Sequence, residues 1–248
     1  MAQQWTEGRV LGKVAWTDKL FSLRIAAGIE PFQAGQFTKL GLEIDGEVVG
    51  RPYSLVNSPD EQPLDFTFVV VPGGPLSAQL ASLEPDARIW VAPRANGFLV
   101  LREVPDAAHL WLMATGTGIG PFLSILKTAL PWERFERVVL VHAVRHAREL
   151  IYPETVREIG QTHPDRFVYV PFVSREETDG ALSGRIPQAI GDGRLEARAG
   201  IAIDAQSSQV MLCGNPQMVD DTTDALLARG LKKHRRREPG QISVENYW

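Results

Sequence analysis

Cysteine is nearly missing from this chain: Cys213 is the one such residue among 248. That excludes a disulfide framework and a cysteine-ligated iron–sulfur cluster, and it fits a reducing compartment. No run approaches the ~18 apolar residues a membrane span needs. The opening MAQQWTEGRV is polar and has no apolar signal core. A soluble, cytoplasmic protein off the membrane is expected. Basic residues are not in excess: 26 Lys and Arg against 30 Asp and Glu leave a formal net charge of −4. The molecule as a whole therefore does not read as a nucleic-acid binder. No G-x-S-x-G nucleophile elbow occurs. His142 and His146 are four apart, but VHAVRHAREL reads as a strand end, so they share no helix face and no metal site is expected. Repeats and low-complexity tracts are absent too.

What is present divides into two grammars. Over residues 1–100, RVLGKVAW, LFSLRIA, QFTKLGLEI, EVVGRPYSLV, LDFTFVVV and RIWVAP are short strands between Gly-, Pro- or Asp-bearing turns. Such spacing predicts an antiparallel sandwich or barrel. Only PLSAQLASL, 75–83, has helical spacing. Over residues 101–248 the pattern alternates. HLWLMATG, RVVLVHAV, RFVYVPFVS and SQVMLCGN read as strands, while PFLSILKTAL, PETVREIGQT and PQMVDDTTDALLARG read as helices. That alternation predicts a doubly wound parallel α/β sheet, with LREVPDAA, 101–108, as the connector.

Three stretches carry chemistry. In GRPYSLVNSP, 50–59, a strand sets Arg51 and Ser54 among apolar neighbours, which by itself also fits an edge strand with a wet outer face. In ATGTGIGPF, 114–122, Gly116, Gly118 and Gly120 permit a tight turn exposing amides at a helix start, a ready anion site. The spacing is GxGxG, not GxGxxG, so a plain packing turn stays open. The following strand ends in Arg145 where an NAD site would place a carboxylate. Arg175 and Arg185 come just past later strand or turn signals. Arginines at strand ends suit a nucleotide 2′-phosphate, each capable of paired charged hydrogen bonds.

The RPYSLVNSP strand, GTGIGP, CGNPQM and an aromatic C-terminus together resemble the ferredoxin–NADP⁺ reductase family, and within it the bacterial ferredoxin (flavodoxin)–NADP⁺ reductases. The likeness covers nearly the whole chain. It implies an FAD-binding β-barrel followed by an NADP(H)-binding α/β domain whose aromatic tail lies on the flavin. It also implies an enzyme exchanging electrons between NADP(H), as hydride, and a one-electron carrier, ferredoxin or flavodoxin.

By position in the family's motifs, Arg51 meets the FAD pyrophosphate, Pro52 and Tyr53 line the flavin, and Ser54 lies near its N5. Phe68, Val69 and Val70 supply backbone contacts, and Leu76 and Ser77 face phosphate. Thr117 reaches toward both cofactors, with Gly116 and Gly118 on NADP. Cys213 and Gly214 line the nicotinamide pocket, and Trp248 stacks over the flavin and gates it. Ser54 and Cys213 act by alignment, not as nucleophiles. Glu245 stands three residues before Trp248, where plastid-type members carry a glutamate two before a terminal tyrosine. The run LKKHRRREPG, 231–240, concentrates Lys232, Lys233, Arg235, Arg236 and Arg237. It reads as a solvated face or as a docking patch for an acidic carrier. A monomer is expected. Two other readings remain open: a flavoprotein reductase serving a haem or oxygenase partner, and a non-catalytic NADP(H)-binding module.

Overall fold

The computed structural model describes residues 4–246. Its first half holds β1 (Thr6–Ala15), β2 (Leu20–Ala26), β3 (Phe37–Ile44), β4 (Glu47–Ser54), β5 (Leu64–Val69), the short α1 (Ser77–Ser82) and β6 (Arg88–Val91). The strands form an antiparallel sheet in the order β4-β3-β6-β1-β2-β5. Asp45 and Gly46, both with positive φ, make the tight β3–β4 turn that a right-twisted hairpin needs. Leu55, directly after β4, bridges Phe66 of β5, and the Val56 amide donates to the Asp65 carbonyl at 2.9 Å. The sheet thereby closes into a barrel around Leu23, Ile25, Leu40, Phe66 and Leu80.

The second half holds β7 (His109–Thr115), α2 (Ile119–Leu126), α3 (Leu130–Arg134), β8 (Arg137–Val144), α4 (Pro153–Thr162), β9 (Phe167–Val173) and β10 (Leu182–Ser183). It continues with α5 (Ile186–Gly191), α6 (Arg194–Ala199), β11 (Ser208–Gly214), α7 (Pro216–Leu227) and β12 (Ile242–Asn246). The strands are all parallel, ordered β10-β9-β8-β7-β11-β12. Winding runs outward from β7 to β10, then returns to the far side of β7, so the switch point lies between β7 and β11. Open α/β sheets bind ligands in the crevice at such a point. Helices α2 and α4 pack on one face, while α5, α6 and α7 pack on the other. Leu20 and Val56 of the barrel belong to the first of these cores, so the two halves share buried apolar surface.

The expected barrel and doubly wound sheet are both present. The helix expected over PFLSILKTAL is instead two: α2 starts earlier, at Ile119, and ends at Leu126 before α3 begins. Pro131 is the physical reason, since it has no N–H for the Lys127 carbonyl and its ring crowds that position. β10, β12, α5 and α6 carry weak patterns and are held by the neighbours they pair with or pack on. β12, for example, goes from buried Ile242 to exposed Val244 on one face, with no clean alternation, along the side of the fully buried β11.

Candidate active site

β4 is paired on one side only, with β3, which is why Pro52 is tolerated within it. Beyond the Leu55–Phe66 bridge no ladder joins β4 to β5, so both strands present a backbone edge there. Over this stretch Arg51 and Pro52 are exposed, Tyr53 is half-buried and Ser54 is buried. The Arg51 guanidinium donates only to its own strand's Gly50 carbonyl, at 2.9 Å, among the described residues. The Tyr53 ring stands edge-on to Phe68 at 5.9 Å, and Phe68 stacks on Phe21. Burial pushes the Tyr53 hydroxyl up to about 12. Phe68 thus stiffens the aromatic floor from inside the barrel, while Val69 and Val70 are half-buried beside it. Leu76 is buried at the start of α1, and the Ser77 hydroxyl accepts the Val71 amide at 2.9 Å, anchoring the loop after β5.

The glycine turn lies between this strand and the switch point. Gly116–Gly118 is a single 3₁₀ turn leading into α2. A Cβ on Gly118 would fall 2.3 Å from the Cys213 carbonyl oxygen, so only glycine allows the turn to lie against the end of β11. On its other side, a Cβ on Gly120 would sit 3.3 Å from Val56 Cγ2 and 3.9 Å from Ser54 Cβ. The glycine turn therefore lies against β11, and the first residues of α2 that it leads into lie near Val56 and Ser54, at and just past the end of the RPYS strand. Thr117, at its centre, is half-buried. Cys213 is fully buried, in register with Ala114 and Glu245. Gly214 has φ +146, and a Cβ there would collide with Thr115 Oγ1. The Asn215 amide donates to that same oxygen at 3.0 Å, and the Asn215 side chain caps α7.

Glu245 comes in from β12. A Cβ on Gly97 of the barrel would lie 3.1 Å from Glu245 Oε1 and equally close to the Phe37 ring. Glu245 Oε2 is buried without a hydrogen-bond partner, and burial pushes the carboxyl up to about 7. Glu245 therefore brings a buried carboxyl to the seam of the two domains. Trp248, the expected gate, lies outside the described residues.

Farther along the same sheet edge, Arg145, Arg175 and Arg185 follow β8, β9 and β10 in turn, all exposed. The Arg175 amide donates to the Arg145 carbonyl at 2.9 Å, holding two of these strand ends together. Nearby carboxylates are engaged with backbone. Glu149 accepts the Arg145 and His146 amides, and Glu176 accepts the Ala147 amide, which draws its carboxyl below the usual range. None of the three guanidiniums forms an ion pair among the described residues, leaving a row of cations facing solvent. With strands ~4.8 Å apart, the row runs from roughly 5 to 15 Å from β7. Arg148, exposed in the turn after β8, was not singled out by motif and joins the same edge.

A second junction ties the domains. Tyr152, at φ 56 before α4, donates its hydroxyl to Asp65 Oδ1 at 3.0 Å and lies 2.8 Å from Ser22 Oγ, which accepts the Trp16 indole N–H. Burial raises the Asp65 carboxyl and lifts the Tyr152 hydroxyl well above its usual value. Ser124 donates to the Asn57 carbonyl at 2.7 Å, and Lys127 pairs with Glu61 at 3.1 Å. No motif pointed to Tyr152 or Asp65. The signal available was a charged residue inside the apolar strand LDFTFV.

Lys232, Lys233, Arg235, Arg236 and Arg237 are all exposed. Arg236 lies 5.5 Å over the Phe98 ring and 3.5 Å from Glu103, and Phe98 is 73% exposed. Phe98 follows Gly97, so this basic run adjoins the seam that Glu245 enters. Among the described residues no cluster of three metal-ligating side chains occurs and no helix is long and apolar enough to cross a membrane.

The family described as oxidoreductase NAD-binding domain matches residues 112–224. The chain is 50% identical over 245 residues to a flavodoxin/ferredoxin–NADP reductase of Shigella flexneri, covering 98% of this chain and 99% of that one. A protein of the same name from Escherichia coli (strain K12) is 49% identical with the same coverage. Among solved structures, a ferredoxin NADP⁺ reductase from Neisseria gonorrhoeae, with bound FAD and NADP, superposes with a TM-score of 0.92. It is 34% identical, and 100% of both chains is covered.

Proposed function

The chain belongs to the flavodoxin/ferredoxin–NADP reductase family, and from that premise we propose which of its residues carry the reaction. The protein is an FAD-dependent NADP reductase that exchanges electrons with ferredoxin or flavodoxin. When bound, FAD exchanges hydride with the nicotinamide and single electrons with the carrier. No obligatory acid or base is needed, so the protein's contribution is alignment and electrostatics.

The residues present fit both cofactors. The diverging edges of β4 and β5 offer backbone donors and acceptors beside the Tyr53 ring, which suits a flat, polar-edged ring system such as the isoalloxazine. Arg51 is exposed and free of carboxylate partners among the described residues, as a pyrophosphate ligand should be. Leu76 and Ser77 shape the loop that would face phosphate, and Phe68, Val69 and Val70 support the flavin's edge. Ser54, Thr117, Cys213 and Gly214 stand around the glycine turn where flavin and nicotinamide would meet. Gly116 and Gly118 let backbone approach the dinucleotide, and Arg145, Arg175 and Arg185 would take the 2′-phosphate. Glu245 supplies a carboxyl at the same seam, and Trp248 would cover the flavin face.

The observation that carries this reading is the double contact of the glycine turn and the helix start after it. The turn lies against β11 at Gly118, and the α2 start it leads into lies near Ser54 and Val56 at Gly120. A nucleotide on the turn is thereby brought against whatever lies along β4. The test is an anaerobic visible-absorption titration with NADPH and with NADH. Bleaching of an oxidised-flavin spectrum at far lower NADPH than NADH is expected. Equal bleaching by both would remove the 2′-phosphate assignment, and absence of flavin after reconstitution with FAD would remove the reductase reading.

The carrier would dock on the run from Lys232 to Arg237. Its position beside Phe98 and the Glu245 seam supports this, because charge there steers an acidic partner to the site where electrons leave. Charge reversal at Arg235 and Arg237 should slow carrier reduction about tenfold at low salt and flatten its salt dependence, leaving ferricyanide reduction unchanged. A monomer in a reducing cytoplasm goes with this reading, Cys213 being buried and the one cysteine of the sequence.

A further inference from the structure

β8 reads RVVLVHAV, and His142 within it is fully buried. Its in-register neighbours are Ala114 on β7 and Pro171 on β9, neither of which has a polar side chain. An imidazole in that setting loses its hydration, and burial pushes it down to about 4, so it is neutral. Nδ1 has no partner. Nε2 lies 3.0 Å from the Gly116 carbonyl oxygen. A carbonyl can only accept, so the proton sits on Nε2. The same carbonyl also accepts the Ile119 amide, so both of its lone pairs are taken.

We propose that His142 is a positioning residue for NADP(H), holding the glycine turn in the one orientation that receives the dinucleotide. This rests on the reading that places NADP(H) on that turn. Gly116 has φ +52, a conformation glycine adopts at little cost, and no side chain of its own to fix the peptide that follows it, so the direction of its carbonyl depends on what that carbonyl bonds. Glycine makes the turn possible; the Ile119 amide from within the turn and His142 from β8 together hold its carbonyl inward, and among the described residues His142 is the one donor that ties it to the sheet. In a trans peptide the Gly116 carbonyl and the Thr117 N–H point in opposite directions. With the carbonyl drawn inward to His142, the Thr117 N–H is directed away from the interior. A strand leucine at this position would pack well and orient nothing.

The experiment compares His142→Leu with His142→Gln in the FAD-loaded enzyme, using NADPH with ferricyanide as acceptor. Loss of a buried hydrogen bond should raise KM for NADPH about tenfold in His142→Leu, with kcat within about twofold and the flavin spectrum unchanged. The Gln amide can donate from nearly the place of Nε2, so His142→Gln should return KM to within about threefold of the parent. An unchanged KM in His142→Leu, or equal impairment in both variants, would overturn the proposal. A ¹H–¹⁵N spectrum of the unmutated protein at pH 7 should show a neutral, Nε2-protonated ring; an Nδ1-protonated or charged ring would also overturn it. Gly118→Ala separates this inference from the reading beneath it. If Gly118→Ala raises KM and His142→Leu does not, only the role of His142 falls. If neither does, NADP(H) does not sit on the turn and both fall.

Discussion

In the barrel, the candidate cofactor surface runs along a strand: Arg51, Tyr53 and the open edge of β4 are successive positions of one element. In the parallel sheet it runs across strands, through Gly116 after β7, Arg145 after β8, Arg175 after β9 and Arg185 after β10. The first surface depends on a strand that lacks a second partner. The second depends on many strands ending together. A strand-borne site is fixed by the pairing of β3 with β4 and should survive changes in distant loops. A strand-end site is assembled from loops far apart in sequence, and each loop can be changed with little effect on the others.

That contrast can be broken by experiment. The largest effect is expected from Arg145→Ala, Arg175→Ala and Arg185→Ala together. If two charged hydrogen bonds at about 1.5–3 kcal/mol each are lost, the NADPH-over-NADH preference falls by roughly 10²- to 10⁴-fold. KM values for both nucleotides would show it, and FAD content should not change. Arg51→Ala is the mirror image, weakening FAD about 10- to 100-fold while leaving the nucleotide preference of reconstituted enzyme intact. Flavin retained on gel filtration reads that out. If either substitution damages the other cofactor's binding, the two surfaces are not separable.

The seam between the regions offers two smaller tests. Glu245→Gln probes the buried carboxyl whose value is pushed up to about 7 by burial. A raised acid favours the protonated form in the folded state. Its contribution is therefore fully present below the unfolded value near 4.3 and is lost as pH rises through about 7. Flavin-free Glu245→Gln should match the parent near pH 4 and exceed it at pH 8, by up to about 3 kcal/mol in urea unfolding. Tyr152→Phe removes the hydroxyl that reaches Asp65 and Ser22 across the domains. A cost of about 1–2 kcal/mol is expected, lowering Tm by roughly 2–8 °C for a chain of this size, with nucleotide preference unchanged.

Much of both surfaces could be read from residues alone, for different reasons. RPYSLVNSP stood out because a strand carrying Arg51 and Ser54 departs from simple alternation, and that departure is local. The glycines of ATGTGIGPF stood out because positive φ and close approach leave a compositional trace. The doubly wound sheet followed from long apolar strands such as β7 and β11, both buried on two sides. Short elements were not legible. β10 is two residues long and β12 has no clean alternation of burial, and each is held as a strand by parallel pairing with β9 or β11. Tyr152 and His142 were passed over as site residues because their partners, Asp65 and Gly116, are 87 and 26 positions away in sequence. A hydrogen bond of that span leaves no local pattern.

The sequence by itself determined the two halves, the strand that departs from alternation, the flexible turn and the cations that cap the later strands. All of these arise from side-chain period, glycine's freedom and charge, which act over a few residues. The tertiary structure decided what those pieces meet. It set Gly120 against Ser54, Glu245 beside Gly97, His142 under Gly116 and Phe98 beneath Arg236. Such contacts depend on how barrel and sheet share one buried face, and the free energy of that burial is a property of the folded whole.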